Sequence, residues 1–295
     1  MKVGRARLKR KVKNNLLGYG LILPMVLGFL IFSLIPLIQS IQGSFYEMED
    51  FFWEIDSQYF ILFGNYQQLF ADPVFIKSIT NTLFLMLGIP IGMIIAFFLA
   101  TLINSKYAKV KKPYLIIYYL PAVSSAIAIG IVWKWLFNAE YGLINLIFGT
   151  HIQWLSSPEM VKITLIMKGV WGGIGGTLLL YYASMQNISL EMYEAADIAG
   201  ANAITKTFKI TIPMLSGTTF YILVTGIIGG ILAFADNYIV AAGSEAQTIV
   251  YYLYGKMKQG NYGLVTAGSV LVFFALFIVT LLQFYLYFRG KKKAR

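Results

Sequence analysis

Apolar positions along this chain fall into six long runs, each separated from the next by a polar stretch: 16–41, 79–103, 113–137, 161–182, 214–235 and 267–288. A helix needs about 20 mostly apolar residues to cross the hydrocarbon core of a bilayer, and each run meets that length. Lipid offers no partner to backbone N–H and C=O groups, so a spanning segment must bond to itself. The pattern therefore predicts an all-α membrane protein with six transmembrane helices. Residues 1–295 read as one transmembrane domain, preceded within it by a basic tail over 1–15.

Composition supports the pattern: 58% of the residues are hydrophobic and 13% are charged, where a soluble domain carries about a quarter charged. The formal net charge of +11 has a specific location. Eighteen of the 24 basic residues lie in the N-terminal tail, the loops after the second and fourth runs, and the C-terminal tail. The segment after the first run carries instead Glu47, Glu49, Asp50, Glu54, Asp56 and Asp72. Lys and Arg accumulate in short cytoplasmic loops, so both termini are expected inside the cell. This distribution accounts for the charge through loop bias and membrane lipid, and no nucleic-acid partner is expected. The first run is 26 residues long and no small-residue cleavage site follows it, which argues against a cleaved signal peptide. Trp133, Lys134 and Trp135 read as an interfacial belt with a snorkelling lysine.

Several chemistries are not expected. There is no cysteine, and His151 is the single histidine, so no thiolate or His/Cys metal site is predicted. No Gly-x4-Gly-Lys-Ser/Thr phosphate loop and no Gly-x-Ser-x-Gly elbow occurs. The chain is expected to be a conduit and not an enzyme, with no cofactor of its own.

The loop 184–213 differs from the other basic loops, since it holds Glu191, Glu194 and Asp197. Ser189 is placed to cap a helix starting at Leu190, and Glu191 lies in the first turn, where the helix dipole favours a carboxylate. Gly200 suits the stop, and Asn202 suits the cap of a second short helix ending before Pro213. Glu191, Glu194 and Asp197 share one face, beside an apolar stripe of Leu190, Tyr193 and Ala196. Such a helix fits a groove on a partner, or lies on the membrane surface. Anionic lipid would repel three carboxylates on one face, which weighs against the second reading.

Glu194-Ala195-Ala196, then Gly200, Ile210 and Pro213, resemble the Glu-Ala-Ala signature of permease subunits of binding-protein-dependent ABC importers. The spacing matches throughout. Ile212 replaces the family's leucine, and Asp197 stands closer to the Glu-Ala-Ala than the family's usual acidic position before the glycine. Phe63-Gly-Asn-Tyr-Gln-Gln-Leu-Phe-Ala-Asp-Pro73, Asn81-Thr82 and Leu120-Pro121-Ala122 are similar to the maltose-, lactose- and multiple-sugar-type first permease. The resemblance implies a type I ABC importer permease fold with a cytoplasmic helix-turn-helix coupling loop, in a bacterial cell membrane. It implies a second homologous permease, a cytosolic ATPase dimer that binds ATP and Mg, an extracytoplasmic solute-binding protein, and a sugar or oligosaccharide as cargo. It also implies that Glu191, Tyr193, Glu194, Ala195, Ala196, Gly200, Ile210 and Pro213 couple the chain to the ATPase.

For the substrate pathway, the intramembrane polar residues are the default candidates. Asp236 and Asn237 are placed at the outer part of the fifth run. Trp171-Gly172-Gly173 and Gly176 form a glycine-rich stretch, where either close helix packing or an opened face with Trp171 as a stacking platform is expected. Similar sugar permeases line their substrate site at this stretch and in the following span, which adds Phe234. Asn81, Ser124 and Ser125 read equally as bonds between helices. Two alternatives stay open: an ABC permease for another polar solute such as glycerol phosphate, and an ion-coupled secondary transporter.

Overall fold

The computed structural model describes residues 18–48, 59–105, 108–240 and 246–293. The basic tail 1–15, Lys106, Arg295 and most of the acidic segment after the first run lie outside them. The described chain is almost wholly helical. Four helices are long and apolar enough to cross a membrane: Gly18–Gly43 (α1), Pro73–Asn104, Pro158–Gln186 (α8) and Tyr262–Lys292. Pro73–Asn104 consists of Pro73–Leu85 (α3) and Gly88–Asn104 (α4). Two bent pairs pass the same test together, Lys111–Val123 (α5) with Ala126–Leu136 (α6), and Ala203–Met214 (α10) with Ser216–Ile231 (α11). The six expected spans are recovered if each bent pair counts as one.

Those two pairs correct the sequence expectation. The run 113–137 is not one continuous helix: it turns by 95° between α5 and α6. Pro121, inside α5, lacks an N–H and interrupts the bonding ladder. Ser124 Oγ then donates to the Leu120 carbonyl at 2.8 Å, and Ser125 Oγ accepts from the Ala128 N–H at 3.5 Å. The two serines thus bond locally and cap the break, and do not link separate helices. In the fifth span the helix stops at Ile231, and residue 235 begins a separate short helix, Ala235–Val240 (α12). At its start α10 runs through Pro213 to Met214 instead of ending before it, and turns by 64° into α11.

A π-helical turn makes that passage possible. Over Thr207–Thr211 the helix widens, so that the Ile212 N–H reaches back five residues to the Thr207 carbonyl. The same device occurs in α1, where Leu30–Leu34 is π-helical and the Ile35 N–H bonds to Leu30. An Ile-Pro pair follows both turns, Ile35-Pro36 and Ile212-Pro213. A proline ring clashes with the carbonyl four residues before it, and the wider turn moves that carbonyl aside.

Two compact units are defined by chain contacts, Met1–Ala71 with Lys256–Phe273, and Asp72–Gly255 with Phe274–Arg295. In the first, α1 leads into a two-stranded antiparallel ribbon, Tyr46–Glu47 (β1) with Tyr59–Phe60 (β2), then Gly64–Ala71 (α2). Asn65 is buried and clamps the entry, donating to the Ser44 and Tyr46 carbonyls at 2.9 and 2.8 Å. Gly263 opens the last helix, Tyr262–Lys293 (α14), and a Cβ there would meet the Tyr46 carbonyl at 2.4 Å.

In the second unit α4, α8 and α11 surround a core of Ala96, Ala100, Leu178, Tyr181, Met185, Leu215 and Ile222. Ala96 and Ala100 are one turn apart and fully buried, and small residues at that spacing let helices approach closely in lipid. Ser184 and Thr218 hydroxyls bond at 2.7 Å between α8 and α11, and Gln186 donates to Asn104 between α8 and α4. Asn81 and Thr82 hold the segment before Ile249–Lys258 (α13): Asn81 donates to the Gln247 carbonyl at 3.0 Å, and Thr82 accepts from the Ile249 N–H at 3.0 Å. A loop containing the short helix Leu143–Phe148 (α7) is organised by the buried amide of Asn145, which bonds Ala139, Thr150, Ile152 and Trp154.

The glycines of α8 have unequal roles. At Gly175 a Cβ would lie 2.2 Å from the Tyr118 carbonyl, so α5 and α8 meet backbone to backbone there. At Gly169, Gly172, Gly173 and Gly176 a Cβ would meet nothing within 4 Å. Within this chain the expected close packing is therefore made by Gly175 and not by the glycines at four-residue spacing, Gly169 with Gly173 and Gly172 with Gly176. Gly175→Ala should cost about 2–3 kcal/mol, in the range of overpacked cores, and lower the detergent Tm by several degrees. Gly172→Ala should leave Tm unchanged or raise it slightly, since alanine is the better helix former.

Asp72 accepts from the Val74 N–H at 2.8 Å, capping α3, and from the Tyr252 hydroxyl at 2.7 Å. Burial, with the Asp72 carboxylate beside it, holds the Tyr252 phenol well above the ordinary tyrosine range. A raised folded value means the bond's contribution is complete below the unfolded value of about 10 and is lost as pH rises further. The stability difference between the wild type and Tyr252→Phe should therefore be constant from about pH 6 to 9 and shrink above about pH 10, as read by thermal unfolding.

A candidate coupling loop and translocation cavity

The loop after α8 folds as two helices joined by a tight turn. The first, Leu190–Ile198 (α9), begins after Ser189, whose backbone is extended as a cap requires but whose side chain makes no capping bond. Its end is a Schellman motif: the Gly200 N–H bonds the Asp197 carbonyl at 3.0 Å and the Ala201 N–H bonds Ala196 at 2.9 Å. Gly200 has φ +74°, with open space where a Cβ would stand. Its requirement is conformational and not steric. Asn202 caps α10 by accepting from the Thr205 N–H at 2.8 Å.

Two contacts fasten α9 to α10. Lys206 Nζ lies 2.6 Å from the Asp197 carboxylate, and the Tyr193 hydroxyl is 2.9 Å from Thr211 Oγ1. Asp197 is thus engaged inside the loop, while Glu191 and Glu194 stand exposed on the outer face of α9. Tyr193 and Ala196 are half-buried toward α10, but Leu190 and Ile198, 69% and 90% exposed, are presented outward with the glutamates. Ala195, Gly200 and Pro213 are exposed, and Ile210 is half-buried. The predicted apolar stripe therefore splits, and the outward face of α9 mixes carboxylates with aliphatic side chains.

Helices α4, α8 and α11 line an open-sided cavity of about 430 Å³. Glycines occur in its lining on each helix: Gly88 and Gly92, Gly169, Gly173 and Gly176, and Gly226 and Gly230. Ile89 of α4 seats against Gly226 and Gly230, 2.9 Å from where a Cβ of Gly226 would lie, whereas the α8 glycines face the open space. Thr177 and Thr225 add hydroxyls to an otherwise apolar wall. Among the described residues the lining carries no charged side chain.

The sequence candidates are distributed around this cavity. Gly173 and Gly176 line it. Trp171 instead borders a second opening of about 310 Å³ with Tyr118, Pro121 and Ser124, and its ring lies 5.9 Å from that of Trp133. Gly172 lines neither. Phe234 stacks on Tyr238 at 5.3 Å and meets Tyr254 edge-on at 4.9 Å. Asp236 and Asn237 belong to α12, which packs on α6, and their side chains lie outside the described residues. Sequence reading passed over the α4 and α11 glycines, Thr177 and Thr225. It also passed over Lys168, which is 5% exposed within α8, on the face that carries the buried residues Val161 and Leu165. Its signal was available: a lysine inside an apolar run is a functional candidate by default.

Residues 88–292 match the family described as binding-protein-dependent transport system inner membrane component. The chain is 31% identical over 286 residues to the probable ABC transporter permease YesP of Bacillus subtilis (93% of this chain, 90% of the relative). It is 29% identical over 285 residues to the arabinooligosaccharide transport permease AraP of Halalkalibacterium halodurans (92% and 88%). A solved bacterial ABC transporter involved in import of the acidic polysaccharide alginate superposes with a TM-score of 0.83 at 26% identity, covering 96% of this chain and 99% of that one. The broken spans, the signature-bearing loop and these matches agree, and the chain is an ABC importer permease with the type I fold that belongs to the family of binding-protein-dependent inner membrane transport components.

Proposed function

We propose that this chain forms one wall of the passage of an ATP-driven importer for a sugar or oligosaccharide, paired with a second, similar permease. The observation that carries the mechanism is the covalent path from loop to cavity. The signature helix α9 is fastened to α10, α10 turns by 64° into α11, and α11 contributes Thr225, Gly226 and Gly230 to the cavity wall. A partner that grips Glu191, Glu194, Leu190 and Ile198 and closes pulls on the wall through one bent helix. Alternating access then follows from the partner's unequal affinity for the two positions of that helix.

The partner is a cytosolic ATPase dimer that supplies the ATP and Mg chemistry, so hydrolysis resides outside this chain. A solute-binding protein delivers cargo at the outer face, and both termini lie in the cytoplasm. The relatives named for arabinooligosaccharides and alginate support a saccharide cargo. The cavity supports the same reading: hydroxyls of Thr177 and Thr225 and backbone exposed at glycines suit a neutral polyol. A phosphate cargo asks for a cation on the wall, and the described lining has none.

Three variants test this reading. Glu194→Lys reverses an exposed charge, so it should change the stability of the permease by no more than about 0.5 kcal/mol but lower ATPase retention about tenfold in a pull-down. Normal retention would count against the coupling role. Gly200→Ala forces a Cβ into a left-handed backbone at a cost of about 1 kcal/mol. It should cut sugar-stimulated ATP hydrolysis while the permease pair still assembles. Gly173→Leu projects into the cavity from a position where a Cβ meets nothing within 4 Å, so it should abolish sugar uptake by proteoliposomes while ATPase binding persists. Uptake at the wild-type rate would place the passage elsewhere.

A further inference from the structure

A second apolar space in the same unit lies apart from the glycine-lined cavity. It measures about 410 Å³ and is walled by α4, α10 and α11. Ile94, Phe98, Phe208, Ile212, Leu215 and Leu223 line it, and hydroxyls are contributed by Thr207 and Thr219. Ile94, Phe98 and Phe208 are 57%, 60% and 66% exposed, so the groove is open at its side. Phe208 belongs to the π turn, and Ile212 donates the bond that closes it.

We propose that this groove holds one anionic phospholipid, its acyl chain against Phe98 and Phe208 and its headgroup at Lys209. At the depth of α4 and α11 the surrounding solvent is lipid, and an open apolar groove there is filled by lipid chain. The charge of the occupant follows from Lys206 and Lys209, which flank the lining residues Thr207 and Phe208 in sequence. Lys206 is engaged by Asp197 at 2.6 Å. Lys209 is exposed, one residue from Phe208 and three from Ile212, and among the described residues it makes no ion pair or hydrogen bond. It lies in the loop assigned to the cytoplasmic side, where anionic headgroups gather. A zwitterionic headgroup gains nothing net from this lysine. An anionic one gains about fivefold in occupancy, the worth of one lysine near a charged membrane surface. A lipid seated here bridges α4 to α10, so its occupancy bears on how freely the coupling loop swings about Leu215.

The test uses the purified assembly of this chain with its co-purifying subunits, stripped of lipid. It is then mixed with equal phosphatidylglycerol and phosphatidylcholine of the same acyl chains and read by native mass spectrometry. The wild type should retain phosphatidylglycerol about fivefold over phosphatidylcholine. Lys209→Gln should bring the ratio toward one, Lys209→Arg should keep it, and Ile94→Trp should displace both lipids from the groove. Equal retention of the two lipids by the wild type, or an unchanged ratio in Lys209→Gln, overturns the proposal. So does a photo-crosslinker placed at position 98 that captures a polypeptide of the assembly and not a lipid.

Discussion

Every feature of this chain is constrained by the requirement that backbone polar groups in lipid be bonded from within the protein. A helix meets that requirement by itself, and each departure from regular helix must be compensated locally. The chain departs at the α5–α6 turn, at the π turns of α1 and α10, and at the end of α9. At the first, Ser124 and Ser125 take the freed carbonyl and N–H. At the π turns an N–H reaches five residues back instead of four. After α9 the Schellman bonds of Gly200 and Ala201 close the last turn. Bends in this protein are therefore built features with identifiable donors and acceptors.

The coupling loop was legible in the sequence because its rules are local. The Asn202 cap, the Gly200 stop and the i, i+3, i+6 spacing of the carboxylates depend on neighbours within a few residues, and the family signature rests on the same positions. The apolar runs were legible too, since hydropathy reports solvent directly. The course of the third and fifth runs was not. Nothing in 113–137 distinguishes a continuous span from one turned by 95°, because Pro121 within an apolar run is compatible with a mild kink as well as a break.

The glycines show the limit of pattern reading most clearly. Glycines one turn apart on α8 signal close packing by statistics, yet within this chain the close approach is made by Gly175, which the spacing does not mark. Which face of a helix meets a neighbour is set by tertiary placement, here by the backbone of α5 at Tyr118. The cavity is likewise a property of three helices together. Its α4 and α11 glycines lie far from α8 in sequence and share no motif with it. Lys168 is a different case: an ionisable group inside an apolar run is visible in the sequence, but its burial is set by tertiary placement.

The π turn of α10 has a consequence for chain length. A π turn holds one residue more than the α-helical turn it replaces. Deleting one residue from 207–211 would close the turn to regular α geometry and bring the carbonyl four residues before Pro213 back into the path of its ring. The helix would then have to bend or break there, and the direction of α9 would change with it. The direction of the loop is thus recorded in a residue count as well as in residue identity.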